Sequence, residues 1–201
     1  YPCPVRVPDS RLVAPKKNVH TLLTVGRIVA RKGHEYVIQA MPYVRKLFPD
    51  TQYVIFGDGA YRRELESLVK QLGLQDHVRF LGALSDAQAS EWYTKSDVFI
   101  MTPVDLAGDV EGFGIVYLEA SAFGLPVVAT ESGGAAEAVV NGETGIVAPQ
   151  KDVVAIADAI IALFNDPTLA GQLGLKGRER VQREFQWKVQ AEKLMSIIEQ
   201  S

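Results

Sequence analysis

The feature that most limits the fold is an alternation. From residue 21 onward, short apolar runs take turns with longer stretches of helical periodicity. The apolar runs lie at 21–27, 52–57, 77–82, 97–102, 126–130 and, briefly, 145–147. They are apolar on both faces, which suits strands covered by helices on both sides. Helices are expected at 35–48, 60–72, 85–95 and 113–123, then at 153–164, 168–183 and 187–199 with no strand between these last three. Pro42 predicts a kink or break in the first. Gly73 and Gly124 read as stops, Ser85 with Gln88 as a capping box, and Asp152 and Asp166-Pro167 as starts. The pattern implies an α/β fold: a doubly wound parallel sheet with right-handed crossovers and additional C-terminal helices.

Composition narrows the function. At 201 residues the chain is one domain, or one domain with a tail. A formal net charge of −3 argues against a nucleic-acid module held by bulk charge. The single cysteine, Cys3, excludes an internal disulfide and carries no assigned role. No apolar run approaches the ~20 residues of a membrane span. Residues 1–19 are proline-rich and read as an extended linker, without the basic and apolar regions of a signal peptide. The chain also begins without methionine and reads as a piece of something longer.

Parallel sheets of this kind hold ligands beyond the carboxyl ends of their strands, so chemistry is sought there. The strongest signal runs from Glu111 to Glu119, with Gly112-Phe113-Gly114 where a loop becomes a helix. A helix start offers unpaired N–H groups and a positive dipole end, and the glycines let a phosphate approach the backbone. On a helix from residue 113, Glu119 lies about two turns in, ~9–10 Å along the axis. A carboxylate on either side of that start suits sugar hydroxyls. The second signal is Gly26-Arg27-Ile28-Val29-Ala30-Arg31-Lys32-Gly33, in which Arg27 ends a strand and Lys32 opens the next helix. Two cations at one strand end suit a diphosphate. No Walker loop is present, and Gly57-Asp58-Gly59 lacks the third glycine of a dinucleotide fingerprint. Asp105, Asp109 and Glu111 form an acidic stretch that matches no calcium loop and reads as solvated. His34 reads as a surface histidine; Trp92, Tyr93 and Trp187 read as core-packing helix faces.

Taken in order, these motifs resemble the carboxy-terminal, donor-binding half of a retaining GT-B glycosyltransferase, most closely glycosyltransferase family 4. The markers are Val25-Gly26-Arg27 with Lys32-Gly33, Phe56-Gly57-Asp58-Gly59, Val78-Arg79-Phe80-Leu81-Gly82, Glu111 to Glu119, and Gly124-Leu125-Pro126-Val127-Val128-Ala129 with Gly133-Gly134 and Glu137. They cover residues 22–187. The resemblance implies a hexosyltransferase drawing on a UDP-, GDP- or ADP-sugar. It implies catalytic roles for Arg27 and Lys32 on the diphosphate and for Glu111 on the transferred sugar. Donor binding would fall to Gly26, Gly57, Leu81, Phe113, Gly114, Ile115, Val116 and Glu119, the last holding the ribose. No metal or other cofactor is implied. The partners implied are the nucleotide sugar and an N-terminal acceptor-binding domain absent here, with no nucleic acid. Residues 1–19 would then be the interdomain linker, 20–184 the Rossmann-like donor domain, and 185–201 a helix packing against the missing half, leaving this piece alone inactive in transfer. A cytoplasmic location follows, with peripheral association of the full-length enzyme at the inner face of the membrane allowed. The loop at 104–110, long and acidic, resembles the phosphatidylinositol-mannosyltransferase-like branch, although base, sugar and acceptor stay open. A binding module without transferase activity and a GT-B epimerase or phosphorylase are the alternatives.

Overall fold

The computed structural model describes residues 19–83, 85–106, 109–186, 189–191 and 195. All but residue 19 of the expected linker, and all but residues 189–191 and 195 of the expected last helix, lie outside the described residues. Among the described residues, six strands form one sheet: β1 (Thr21–Val25), β2 (Gln52–Phe56), β3 (Val78–Phe80), β4 (Val98–Ile100), β5 (Val127–Thr130) and β6 (Gly145–Ala148). Their order is β3-β2-β1-β4-β5-β6, and every pairing is parallel. This is the doubly wound Rossmann arrangement, with its switch point between β1 and β4.

The helices are α1 (His34–Leu47), α2 (Arg62–Gln71), α3 (Asp86–Lys95), α4 (Ile115–Ala122), α5 (Ala135–Ala138), α6 (Val153–Asn165) and α7 (Pro167–Glu184). Side chains that alternate along each strand feed two cores. Leu22, Tyr53, Ile55, Val98 and Ile100 pack with Val37, Ile38, Met41, Leu65, Ile156 and Ile160 on one face. Leu23, Val54, Phe56, Phe99 and Met101 pack with Tyr93, Tyr117, Leu118 and Val181 on the other. Among the described residues no single helix is long and apolar enough to cross a membrane.

Several local signals act as their chemistry dictates. Ser85 caps α3 and Gln88 returns the bond, forming the capping box. Asp152 caps α6, and Asp166 caps α7 with Pro167 in its first turn. Pro42 does not break α1, which runs unbroken from His34 to Leu47. A proline inside a helix costs about 3 kcal/mol, and each buried side chain such as Val37, Ile38, Met41 or Val44 returns roughly 1.5–3 kcal/mol. The helix expected from residue 113 begins at Ile115, because Gly114 takes a left-handed φ of 71° ahead of it. A Cβ at Gly114 would lie 2.6 Å from the Tyr117 ring, so glycine is what permits this entry. Glu119 therefore sits only about one turn into α4, ~6 Å from its start along the axis.

Helix α7 carries a contrast that tests the packing. A Cβ at Gly171 meets nothing within 4 Å, whereas one at Gly174 would lie 2.0 Å from the Gly124 carbonyl oxygen, where α7 crosses the end of α4. Gly171→Ala should raise stability by about 0.5–1 kcal/mol through helix propensity. Gly174→Ala should lower it by roughly 1–3 kcal/mol through overpacking. Urea unfolding checks both; shifts of the same sign would contradict the close approach.

Candidate functional site

The carboxyl ends of β1 and β4 flank the switch point, and their loops supply most of the site. The loop after β1 ends in a 3-10 turn at Ala30–Lys32. Lys32 thus closes that turn, two residues ahead of α1, and does not open the helix as the sequence suggests. It is 8% exposed, and its Nζ lies 2.7 Å from Glu111 Oε2. Arg31 reaches the same oxygen through Nη1, also at 2.7 Å, while its Nε meets Asp109 Oδ1 at 3.0 Å. Glu111 is 6% exposed. A buried carboxylate is tolerated only where its charge is matched, and here two cations match it. Arg27, from the same loop, is exposed and makes no ion pair among the described residues.

The other strand ends close around this pair. Gly26 donates its N–H to the Phe56 carbonyl, Gly57 to Gly82 and Leu81 to Ile55, so Gly26, Gly57 and Leu81 form one rim across β1, β2 and β3. After β5, Gly134 donates to the Glu111 carbonyl, and a Cβ on Gly134 would lie 1.9 Å from the Gly112 carbonyl oxygen. The 131–134 loop is therefore pressed onto the Glu111–Gly112 backbone. Beyond Glu111 come Phe113, half-buried with its ring 5.8 Å from that of Phe185, then Gly114 and the first residues of α4, Ile115 and Val116. Glu119 accepts a hydrogen bond of 2.9 Å from the Tyr93 hydroxyl. Burial, then the nearby Glu119 charge, pushes that phenol well above its ordinary range, so Tyr93 stays a donor.

Three groups were not legible as site residues. Arg31 lies beside Lys32 in a basic run that gives no hint of its partner. Tyr93 packs in the core as expected, but its hydroxyl orients Glu119. Asp105 accepts from Ser132 Oγ at 2.6 Å and Gln150 Nε2 at 3.0 Å, tying the acidic loop to the segments flanking β6. These bonds hold the Asp105 carboxyl below its usual range. Asp105, Asp109 and Glu111 thus serve different partners, and no group of three potential ligands is placed to hold a metal ion among the described residues.

His34 corrects the sequence reading: it is 1% exposed, not a surface residue. It opens α1 where that helix turns under the β1 end. Its Nε2–H donates to the Arg27 carbonyl at 3.3 Å, which leaves Nδ1 facing the Tyr53 hydroxyl at 3.4 Å. Thr24 Oγ1 lies 2.8 Å from the same hydroxyl and itself donates to the Ile100 carbonyl. The network fixes the backbone that presents Arg27.

Comparison with known proteins gives consistent matches. A family model described as "Glycosyl transferases group 1" matches residues 9–180. A GDP-mannose-dependent alpha-(1-6)-phosphatidylinositol monomannoside mannosyltransferase of Mycolicibacterium smegmatis is 39% identical over 180 residues, 88% of this chain and 47% of that protein. A sucrose-phosphate synthase from Thermosynechococcus elongatus superposes with a TM-score of 0.80 at 34% identity, covering 90% of this chain and 45% of that one. The C-terminal domain of a glycosyl transferase group 1 family protein from Francisella tularensis gives a TM-score of 0.74 at 28% identity, covering 90% of this chain and 95% of that one. The chain spans 47% of the length of the first two curated relatives it matches.

The buried histidine makes stability depend on pH. Burial, opposed by the Arg27 hydrogen bond and aided by the Lys32 charge, lowers the His34 pKa from 6.5 to about 4. The unfolded chain protonates as pH falls through 6.5, while the folded one does so only near 4. The contribution of His34 is therefore complete above that window and lost across it, by on the order of 3 kcal/mol at the acid end. Urea unfolding at pH 7, 5.5 and 4.5 should show a smaller acid loss for His34→Gln than for the parent chain. Parallel losses would contradict the assignment.

Proposed function

The chain belongs to the group 1 glycosyl transferases, and from that we infer that it is the donor-binding half of a retaining, family 4-type GT-B mannosyltransferase using GDP-mannose. The observation that supports this most is the Lys32–Glu111 pair at the β1/β4 switch point, followed directly along the chain by the α4 start that carries Glu119. In this reading residues 1–19 link to an acceptor-binding half, 20–184 hold the donor, and 185–201 return toward that other half. This piece alone would bind donor and transfer nothing. The relatives named for GDP-mannose suggest the base and sugar, and their lipid-linked acceptors fit a full-length protein working at a membrane surface.

The chemistry follows from charge. When the sugar–phosphate bond breaks, its electron pair leaves with the nucleoside diphosphate. Arg27, Lys32 and the N–H groups of Phe113, Gly114 and Ile115, which meet no backbone acceptor among the described residues, stabilise that charge as it grows, and more strongly in the transition state than in the bound donor. With these groups present, no divalent metal is required. One oxygen of Glu111 is occupied by Arg31 and Lys32; the other accepts nothing from the described residues and is free for a sugar hydroxyl. Glu119, oriented by Tyr93, takes the ribose.

Calorimetry on the full-length protein tests this. GDP-mannose and GDP should bind in the presence of EDTA, ahead of UDP- and ADP-sugars. Glu119→Gln should weaken GDP about 10–150-fold, the loss of a hydrogen bond to a charged group. Glu111→Gln should leave GDP binding intact or tighter, because Lys32 is released, while GDP-mannose binds less well. Binding abolished by EDTA and restored by magnesium would overturn the metal-free reading. Equal losses of GDP in both variants would overturn the division between the two glutamates.

A further inference from the structure

We propose that Arg31 is a positioning residue that holds Glu111 so that Lys32 can turn to the donor diphosphate; the inference rests on the donor-binding reading above. Both cations meet one oxygen, Glu111 Oε2, each at 2.7 Å. Their freedom differs. The Arg31 guanidinium is a planar fork fixed at two carboxylates, Glu111 through Nη1 and Asp109 through Nε. The Arg31 carbonyl is also held by the Val104 N–H at 2.8 Å. Among the described residues Lys32 has a single carboxylate partner, and its compact ammonium carries three donors on a flexible stem.

The charges complete the argument. Among the described residues, two carboxylates and two cations balance around a site where Glu111 is 6% exposed. A diphosphate can draw Lys32 away only if Glu111 keeps a counter-ion, because a buried charge stripped of its partner is strongly destabilising. Arg31 is that standing counter-ion. In its absence Lys32 is the remaining cation on Glu111 among the described residues, and diphosphate and carboxylate compete for one ammonium. Asp109 is the exposed end of the arrangement, its side chain 70% accessible, so it anchors Arg31 without carrying the buried charge. A purely structural role for Arg31, as a tether for the acidic loop, makes a different prediction, since loss of a tether does not depend on the charge of Glu111.

The test is an epistasis measurement on the full-length protein, with GDP as probe in calorimetry and thermal melts to verify folding. Arg31→Met should weaken GDP about 10–100-fold, the scale of one hydrogen bond to a charged group, because Glu111 then contests the Lys32 ammonium. Placed on Glu111→Gln, the same substitution should change GDP affinity less than about threefold, because no charged carboxylate then competes for Lys32. Arg31→Lys, which keeps a cation, should recover much of the loss, and Asp109→Asn should cost less than about threefold, as exposed ion pairs do. Equal losses for Arg31→Met in both backgrounds, or none in either, would overturn the inference while leaving the donor-binding reading intact. Failure of the unsubstituted protein to bind GDP would overturn both.

Discussion

A carboxylate kept charged where water hardly reaches sets the terms for the rest of this molecule. Glu111 is 6% exposed and is balanced by Arg31 and Lys32 from a different loop. That balance can exist only if the ends of β1 and β4 are neighbours, which the order β3-β2-β1-β4-β5-β6 provides. The requirement spreads outward. The loop after β1 must double back through a 3-10 turn to place two consecutive cations, and the His34–Tyr53–Thr24 network braces it from below. The loop after β5 must come close enough for Gly134 to bond the Glu111 carbonyl, which leaves no room for a side chain there. The two cores, one on each face of the sheet, give this arrangement a rigid base.

The elements themselves were legible because their signals are local. Runs apolar on both faces mark all six strands, with bounds that differ by one or two residues: β1 to β5 are shorter than the runs and β6 is one residue longer. Caps at Ser85, Asp152 and Asp166 act over at most three residues, so their signal is visible in the sequence. Pro42 and the start of α4 depart from their local signals for opposite reasons. Packing of α1 on the sheet overrides a local breaker, while the left-handed turn at Gly114 delays the start of α4. The four-residue α5 is too short to show any periodicity.

The site was legible in its residue types and less so in its wiring. Lys32 and Glu111, from the loops after β1 and β4, do meet, and Gly114 and Glu119 lie on the α4 start that follows Glu111. Their contacts join residues far apart in sequence: Arg31 and Glu111 are separated by 80 positions, Tyr93 and Glu119 by 26. Such pairings depend on strand order and on which face a helix presents, and neither is written in the spacing of a motif. His34 shows the same limit. A polar residue after a glycine at a helix start looks exposed until the strand beneath it supplies Tyr53.

A crystal structure of the full-length protein with GDP-mannose tests most directly the proposal that these loop ends, wired through Glu111, form one nucleotide-sugar site. The diphosphate should lie against Arg27, Lys32 and the backbone at Phe113–Ile115, the ribose on Glu119, and a sugar hydroxyl on the oxygen of Glu111 that meets neither Arg31 nor Lys32. A nucleotide bound elsewhere on the sheet, or one whose diphosphate is held through a metal on the acidic loop, would contradict it.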